Sequence, residues 1–227
     1  MIAFNRNPIR FGERIERPSA ELVANTLGLV NASVEDAVRY GGDLTRAALS
    51  VLPITNSRKY VVVDTKVHML MPGFMPAIPG WHTDGVPRGP DGDPLAKAAP
   101  DLDAQSQLTM EGRGTRFAML VTGVGCRTEF VGTRLDLEPD DTWKTPHLYA
   151  GLSEQVERLA PPITTAPECG AVLFDWWDIH RGVAAKAHEW RFFIRVTESD
   201  LVAPWSDLRR VIRTQQQVYV PSDRYGW

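Results

Sequence analysis

The sequence predicts a mainly β protein with helices that brace it from the N-terminal side, which is an α+β class. Two observations lead to this prediction. Apolar residues at helical spacing are concentrated in the first 56 residues, whereas short β-branched and aromatic runs separated by turns follow up to residue 200. The chain has 227 residues, of which 43% are apolar and 23% charged, so it can bury a sizeable core. Disorder along the whole length is therefore excluded.

We treat the chain as a single domain of residues 1–227 and divide it into three regions. Residues 1–56 are expected to form a helical support, residues 57–200 a β-rich core and residues 201–227 a C-terminal extension. The core is interrupted at 85–114 by a segment rich in Gly, Pro and Asp. A loop of this length inside a compact domain is usually functional or mobile, so we expect it to cover a binding site as a lid.

The N-terminal region is predicted to contain two helices. The first, at 21–27, is short and amphipathic. The second begins near Ser33, which forms with Asp36 a pair that resembles a capping box. Gly41-Gly42 weakens the middle of this helix, and Pro53 ends it.

The core is predicted to consist of short strands. They are expected at 60–63, 66–71, 115–122, 126–131, 170–177 and 190–198. The turn Gly123-Val124-Gly125 predicts that the third and fourth of these strands form a hairpin. The spacing of apolar residues predicts two further helices, at 148–159 and at 208–213.

A His-x-Asp motif lies immediately before the long loop. His82 and Asp84 are two residues apart on an extended segment, so their side chains project to the same side and could reach a single ion. A third candidate ligand, His180, follows an apolar strand far downstream. Two imidazoles and one carboxylate on one face of a metal leave the opposite face open, which is the facial triad of non-haem Fe(II) oxygenases.

A strand after His180 contains two arginines that share one face. With period-two alternation, Arg191, Phe193 and Arg195 project to the same side. A buried guanidinium is unfavourable unless an anion meets it, and arginine binds carboxylates in a bidentate manner. The strand therefore predicts an anionic ligand.

Together these motifs resemble the Fe(II)/2-oxoglutarate-dependent dioxygenase superfamily. The order His82-x-Asp84, then His180, then Arg191 is similar to the pattern of that family, and the resemblance covers roughly residues 60–200. It implies that the β-rich core is a double-stranded β-helix, or jelly-roll. It also implies that the three candidate ligands bind Fe(II), that Arg191 holds the distal carboxylate of the co-substrate 2-oxoglutarate, and that O2 is the second co-substrate.

The resemblance leaves the role of Arg195 open. In the taurine-dioxygenase-like branch, an arginine four residues after the co-substrate arginine contacts an anionic substrate, and Arg195 has that position. In other branches the co-substrate arginine falls at the later position, so Arg195 is also an alternative to Arg191. A third interpretation pairs Arg195 with a carboxylate of the chain itself. Thr128 and its neighbour Arg127 are further candidates for contact with the co-substrate.

The reaction that the resemblance implies is hydroxylation of a small molecule with release of succinate and CO2, and the position of Arg195 favours an anionic one. Two alternatives remain. One is a hydroxylase of the same superfamily that modifies nucleobases or proteins, and the other is a jelly-roll protein that binds a ligand or has a structural role without turnover. The formal net charge of −3 does not favour a large nucleic-acid interface, although it leaves room for a local basic patch.

Composition also leads to an expectation about cellular location. No stretch reaches about 18 apolar residues, the length that spans a bilayer, and the N-terminus lacks the apolar core of a secretory signal. Cys126 and Cys169 are therefore expected to be reduced thiols. We expect a cytoplasmic protein without a membrane partner, and the sequence sets no expectation for its oligomeric state.

Overall fold

A computed structural model describes residues 1–84, 102–138, 148–214 and 218–219. The strands in this part of the chain are β1 (Ile2–Phe4), β2 (Arg10–Arg14), β3 (Gly28–Ala32), β4 (Tyr60–Leu70), β5 (Arg116–Val121), β6 (Glu129–Val131), β7 (Leu135–Leu137), β8 (Ile163–Thr165), β9 (Gly170–Asp175), β10 (His180–Arg181), β11 (Glu189–Ser199) and β12 (Ile212–Arg213). The helices are α1 (Ala20–Ala24), α2 (Val34–Tyr40), α3 (Gly42–Val51), α4 (Leu102–Met110), α5 (Leu148–Leu159) and α6 (Leu208–Val211). The structure is thus mainly β with a few helices, as the sequence predicts.

Seven strands form one antiparallel sheet, here called the large sheet. Its order is β12-β3-β4-β11-β5-β9-β2. The central strand β11 is paired with β4 along all of its eleven residues, from Glu189 opposite Leu70 to Ser199 opposite Tyr60. Because side chains alternate along a strand, this continuous register aligns alternate residues of β4 and β11 on one face of the sheet.

The N-terminal helices cover one face of the large sheet. Phe192, Ile194 and Val196 of β11 are buried there in one core with Leu44 and Ala48 of α3. These positions are the apolar half of the alternation on β11, and the period of 3.6 on α3 supplies the matching apolar stripe. The remaining residues of β11 therefore face the other way.

The opposite face of the large sheet shares a second core with a small sheet of order β10-β6-β8. Phe117 of β5 stacks on Phe174 of β9 with 5.0 Å between ring centroids. Phe130 of β6 meets the ring of Phe174 edge-on at 5.3 Å. The two sheets thus enclose an aromatic core, and His180 begins the strand of the small sheet beside it.

The N-terminal region is less helical than the sequence predicts. It includes β1, β2 and β3 besides three helices. All five residues of β2 are exposed, so they show no alternation of apolar and polar residues that would reveal a strand. Their strand conformation comes from pairing with β9, which local sequence does not encode.

The second predicted helix is divided into α2 and α3. Ser33 caps α2 as expected, because its Oγ accepts a hydrogen bond from the Asp36 backbone N–H at 3.0 Å. The break falls at Gly41-Gly42, where Gly42 has a φ of +79°. This left-handed conformation suits glycine and interrupts the helix.

The predicted hairpin between the strands around Arg116 and Phe130 is wrong. β5 is paired with β9 and β11 in the large sheet, whereas β6 is paired with β8 and β10 in the small sheet. The turn between them is held from elsewhere, since the Glu189 carboxylate accepts hydrogen bonds from the backbone N–H groups of Val124 and Gly125 at 3.1 and 2.9 Å. The glycine-rich turn indicated that the chain changes direction, but it does not determine which strands β5 and β6 pair with.

Part of the predicted long loop is helical. Residues Leu102–Met110 form α4, while 85–101 lie outside the described residues, so the proposed lid stays a prediction there. The helix at 148–159 is confirmed as α5. The one predicted at 208–213 ends at Val211 and continues as β12.

Two expectations from composition can be compared with the structure. Both cysteines are free and buried. Among the described residues, no helix has the length and apolar character needed to cross a bilayer.

Candidate metal centre

The structure brings the two segments that contain the candidate ligands side by side. The backbone N–H of His82 donates to the carbonyl of His180, and the N–H of His180 donates to the carbonyl of His82, both at 2.9 Å. This reciprocal pair joins the His82 segment to β10 at the edge of the small sheet. Residues far apart in sequence thereby become direct neighbours.

Both histidine rings are oriented by backbone carbonyls. His82 Nδ1 lies 3.0 Å from the carbonyl oxygen of Gly80, and His180 Nδ1 lies 2.9 Å from that of Asp178. A carbonyl only accepts, so Nδ1 must hold the proton in each ring. The Nε2 lone pairs are therefore available for a metal, and this use of the second nitrogen is typical of metal-binding histidines.

The potential ligand atoms of His82, Asp84 and His180, here called the triad, all lie within 4.8 Å of one another. Asp84 Oδ2 is 3.5 Å from His180 Nε2, and the two imidazole centroids are 4.7 Å apart. Both histidines are buried, while the Asp84 side chain is 18% exposed. A set of two imidazoles and one carboxylate this compact could hold a metal ion.

The protonation states of His82 and Asp84 suit a cation. Burial lowers the pKa of His82 to about 4, and the neighbouring His180 contributes in the same direction. Its ring is therefore neutral near pH 7, which metal binding requires. Burial raises the pKa of Asp84, but the Arg195 guanidinium and His180 outweigh it and hold that pKa well below its ordinary value.

Arg195 is paired with two carboxylates of the chain. Its Nη1 lies 2.7 Å from Asp84 Oδ2, and its Nη2 lies 3.0 Å from Asp64 Oδ2. Asp64 is the cross-strand neighbour of Arg195 on β4, and its other oxygen accepts a hydrogen bond from the backbone of Asn31. Of the three interpretations of Arg195, this geometry favours the one in which it pairs with internal carboxylates.

Arg191 is in a different position. It lies on the same face of β11, is 3% exposed, and donates from Nε to the carbonyl of Cys126 at 2.9 Å. Burial lowers the pKa of its guanidinium, and among the described residues no carboxylate lies within ion-pair distance of it. A buried cation without a carboxylate is the environment that an anionic ligand would complete.

Thr128 lies next to the small sheet. It is buried and immediately precedes β6, and its carbonyl accepts a hydrogen bond from the backbone of Ala166 at 2.8 Å. Two residues further on, the ring of Phe130 lies 5.3 Å from that of His180. Thr128 is thus two residues from a side chain that packs against the triad, and its contact with a co-substrate stays a prediction.

A second contact joins the two histidine segments. The Arg181 guanidinium lies 4.2 Å from the ring centroid of Trp81, and these residues follow His180 and precede His82, respectively. Arg181 also forms an ion pair with Glu129 of β6 at 2.9 Å. This stack adds a side-chain contact to the backbone hydrogen bonds between the two segments.

Helix α5 also holds the His82 segment, through two hydrogen bonds. The Ser153 hydroxyl accepts a hydrogen bond from the Trp81 N–H at 3.1 Å, and the Tyr149 hydroxyl donates to the Thr83 carbonyl at 2.8 Å. These contacts flank His82 on both sides. The position of the triad is therefore set by the small sheet and α5 together.

Several of these supporting residues have little or no signal in the sequence. Asp64 was not identified because its contact depends on the register between β4 and β11. Arg181 and Tyr149 likewise have no local signature, since stacking on Trp81 and binding to the Thr83 carbonyl depend on the tertiary structure. The position of Arg181 next to a candidate ligand is the one signal that could have indicated its role.

The chain was also compared with known proteins. No model of a protein family matches it, and no curated protein sequence matches it either. Its function therefore has to be inferred from the residues of the site.

Proposed function

We propose that the protein is an Fe(II)- and 2-oxoglutarate-dependent oxygenase that acts on a small molecule. The observation that leads to this proposal is the combination of the triad with Arg191. A compact set of two histidines and one aspartate lies beside a sheet face whose buried arginine has no carboxylate partner in the described residues. Such a site combines a metal position with a position for an organic anion.

The strand order supports a double-stranded β-helix for this core. Along the chain, β4 lies in the large sheet, the His82 segment pairs with the small sheet, and β5 returns to the large sheet. β6 and β8 then lie in the small sheet, β9 in the large, β10 in the small and β11 in the large. Two facing sheets built by such exchange are typical of jelly-rolls.

The residues of the site fit both groups. The Nε2 atoms of His82 and His180 and the carboxylate of Asp84 would hold Fe(II), since backbone carbonyls already occupy both Nδ1–H groups. Arg191 would hold the distal carboxylate of 2-oxoglutarate. The chemistry that Fe(II) supplies in such a site is oxidation of a substrate by O2 with conversion of 2-oxoglutarate to succinate and CO2.

The other residues of the site prepare it for this chemistry. Arg195 keeps Asp84 ionised and fixes the direction of its carboxylate. Phe130 and Phe174 pack against the His180 ring at 5.3 and 5.2 Å between centroids and exclude water from that side. The protein thereby orients the metal ligands and shields their positions from water.

Binding of 2-oxoglutarate tests the proposal. Calorimetric titration of the protein with 2-oxoglutarate in the presence of Mn(II) should show a single binding site. In Arg191→Met, loss of the charged partner of a buried carboxylate should cost about 2–5 kcal/mol, which is roughly a 30-fold or greater loss of affinity. Mn(II) affinity should be unchanged in this variant.

Arg116→Met serves as the matched control, because Arg116 is exposed at the start of β5 and bonds to Ser57. A second readout is succinate formed from 2-oxoglutarate when Fe(II) and O2 are supplied. Unmeasurable 2-oxoglutarate binding in the wild type would refute the proposal. Binding of both ligands without succinate from any substrate pool would indicate the non-catalytic alternative.

A further inference from the structure

The face of the large sheet that lies towards the triad contains a third cation. Lys66 of β4 is paired with Phe193, the residue midway between Arg191 and Arg195 on β11. Cross-strand partners project to the same side of an antiparallel sheet. The Lys66 side chain therefore belongs to the same face as both arginines.

Lys66, Arg191 and Arg195 differ in what they bind. Arg195 is paired with Asp64 and Asp84, and Arg191 is buried against a backbone carbonyl. Lys66 is exposed, and no hydrogen bond or ion pair joins its ammonium group to another residue in the part of the chain that the structure describes. It is the cation on this face that is open to a ligand from solvent.

The electrostatic surroundings of Lys66 favour an anion. Partial desolvation of the ammonium group by its surroundings lowers the pKa of Lys66, and the positive charges of Arg195 and Arg191 contribute in the same direction. The carboxylates of Asp84 and Asp64 act in the opposite direction. The Lys66 side chain touches solvent and is also desolvated in part by its surroundings, and an anion bound there would relieve the repulsion between the cations.

We propose that Lys66 binds the anionic group of a small prime substrate, an inference that rests on the proposed function. The group is a carboxylate, sulfonate or phosphate on a molecule that enters beside the 2-oxoglutarate position. The anionic substrate expected at Arg195 is thereby assigned to Lys66 instead. Lys66 is a residue that determines substrate specificity, and Arg195 positions Asp84.

Chemical labelling with trinitrobenzenesulfonate tests this assignment. The reagent modifies amines, and digestion with mass spectrometry reports each lysine of the intact protein separately. In the complex with Mn(II) and 2-oxoglutarate, Lys66 should be labelled faster than Lys59, which is exposed and lies over the Tyr60 ring. Methanesulfonate or acetate should slow labelling of Lys66 several-fold, while the neutral analogues methanesulfonamide and acetamide should have no effect.

The controls separate this assignment from the proposed function. Labelling of Lys59 should not respond to any anion, and Lys66→Gln should bind 2-oxoglutarate as tightly as the wild type does. Protection of Lys66 by 2-oxoglutarate with no further effect of the small anions would assign it to the co-substrate and overturn the inference. Equal protection by neutral and anionic analogues, or no protection, would overturn it as well. Absence of 2-oxoglutarate binding in calorimetry would refute the proposed function, whereas anion protection measured with Mn(II) alone still reports on Lys66.

Discussion

At the scale of single residues, Asp64 connects the triad to strand β3 of the large sheet. One of its oxygens accepts from the Asn31 backbone at 2.9 Å, and the other binds Arg195 at 3.0 Å. Arg195 in turn reaches Asp84 at 2.7 Å. The direction of a metal ligand is therefore fixed by a carboxylate that itself lies outside the triad.

The variant Asp64→Asn should weaken metal binding. Its side-chain oxygen can still accept from Asn31, but Arg195 is left with Asp84 as its charged partner and competes more strongly with a metal for that carboxylate. Loss of the negative charge of Asp64 also weakens the attraction of the site for a metal cation. We expect roughly a tenfold lower affinity for Co(II), the size typical of lost outer-sphere contacts to metal ligands. Calorimetry measures the affinity, and the visible Co(II) spectrum reports the ligand geometry.

Asp43→Asn is the matched control for this variant, since the Asp43 side chain is 81% exposed and pairs with Arg46 on α3. A purely structural role of Asp64 would reduce the folded fraction without changing the affinity or spectrum of the folded protein. An unchanged Co(II) affinity in folded Asp64→Asn would contradict the positioning role.

The triad was accessible to sequence reasoning, and its supporting residues were not. His82 and Asp84 are two residues apart, so strand periodicity alone predicts that they project together. His180 follows an apolar strand, and the arginines of β11 show the same periodicity. Asp64 and Lys66 have no comparable signal, because their relation to Arg195 and Phe193 depends on how two distant strands align.

At the scale of elements, β11 is attached at its C-terminal end by a buried carboxylate. Glu198, which is 4% exposed, accepts hydrogen bonds from the backbone N–H groups of Thr55 and Ser57 at 2.6 and 3.1 Å and from the Thr55 hydroxyl at 2.7 Å. Burial raises the pKa of Glu198, but these donors outweigh it and lower that pKa below its ordinary value. The contact joins the segment that leads into β4 to the end of β11.

The stabilisation by Glu198 should depend on pH. Because its pKa is lower in the folded state, the stabilisation is complete above the unfolded value, about 4.3, and is lost as the pH falls through the lower folded value. Glu198→Gln should reduce the free energy of unfolding at pH 7 by about 2 kcal/mol, the size of hydrogen bonds to a charged group. Urea denaturation at pH 7 and at decreasing pH below 5 should show the difference between variant and wild type becoming smaller.

Glu35→Gln provides the comparison, since Glu35 is exposed on α2. It should show little difference from the wild type at any pH in this range. A difference for Glu198→Gln that stays constant down to the lowest pH would show that the carboxylate charge is not what stabilises this contact.

Element boundaries could be predicted where local chemistry decides them. Ser33 caps α2 through its own side chain, and Gly41-Gly42 divides the helices through backbone conformation, so both signals are present in the sequence. The hairpin prediction failed because β5 has longer partners in β9 and β11 than β6 could offer. Strand pairing is a property of the whole sheet, and turn residues alone do not specify it.

At the scale of the whole molecule, a bound metal would connect parts of the chain that are far apart in sequence. His82 follows β4, whereas His180 begins β10, and the two meet only in the folded protein. Since the unfolded chain does not hold the triad together, metal binding should stabilise the fold. With Mn(II) or Co(II) at about 100 times its Kd, this linkage amounts to about 2.7 kcal/mol.

Thermal unfolding measures this effect. For a chain of this size we expect the Tm of chelator-treated protein to rise by roughly 5–10 °C when the metal is added. His180→Ala should remove the rise, because it deletes one ligand. His188→Ala should keep it, since His188 is exposed and contacts Met69 rather than the triad. An equal rise in His180→Ala would place the stabilising metal at another site.

The position of β11 has a consequence for the newly made chain. Synthesis proceeds from the N-terminus, so β4 and β5 are complete long before residues 189–199 exist, and in the folded protein these two strands are separated by β11. Until β11 is made, β4 has an unpaired edge of eleven residues that includes several β-branched side chains. Unpaired edges of this kind add strands from other molecules and lead to aggregation. A ribosome that stalls before residue 189 therefore releases a product that is prone to aggregate, whereas each finished copy covers this edge with its own β11.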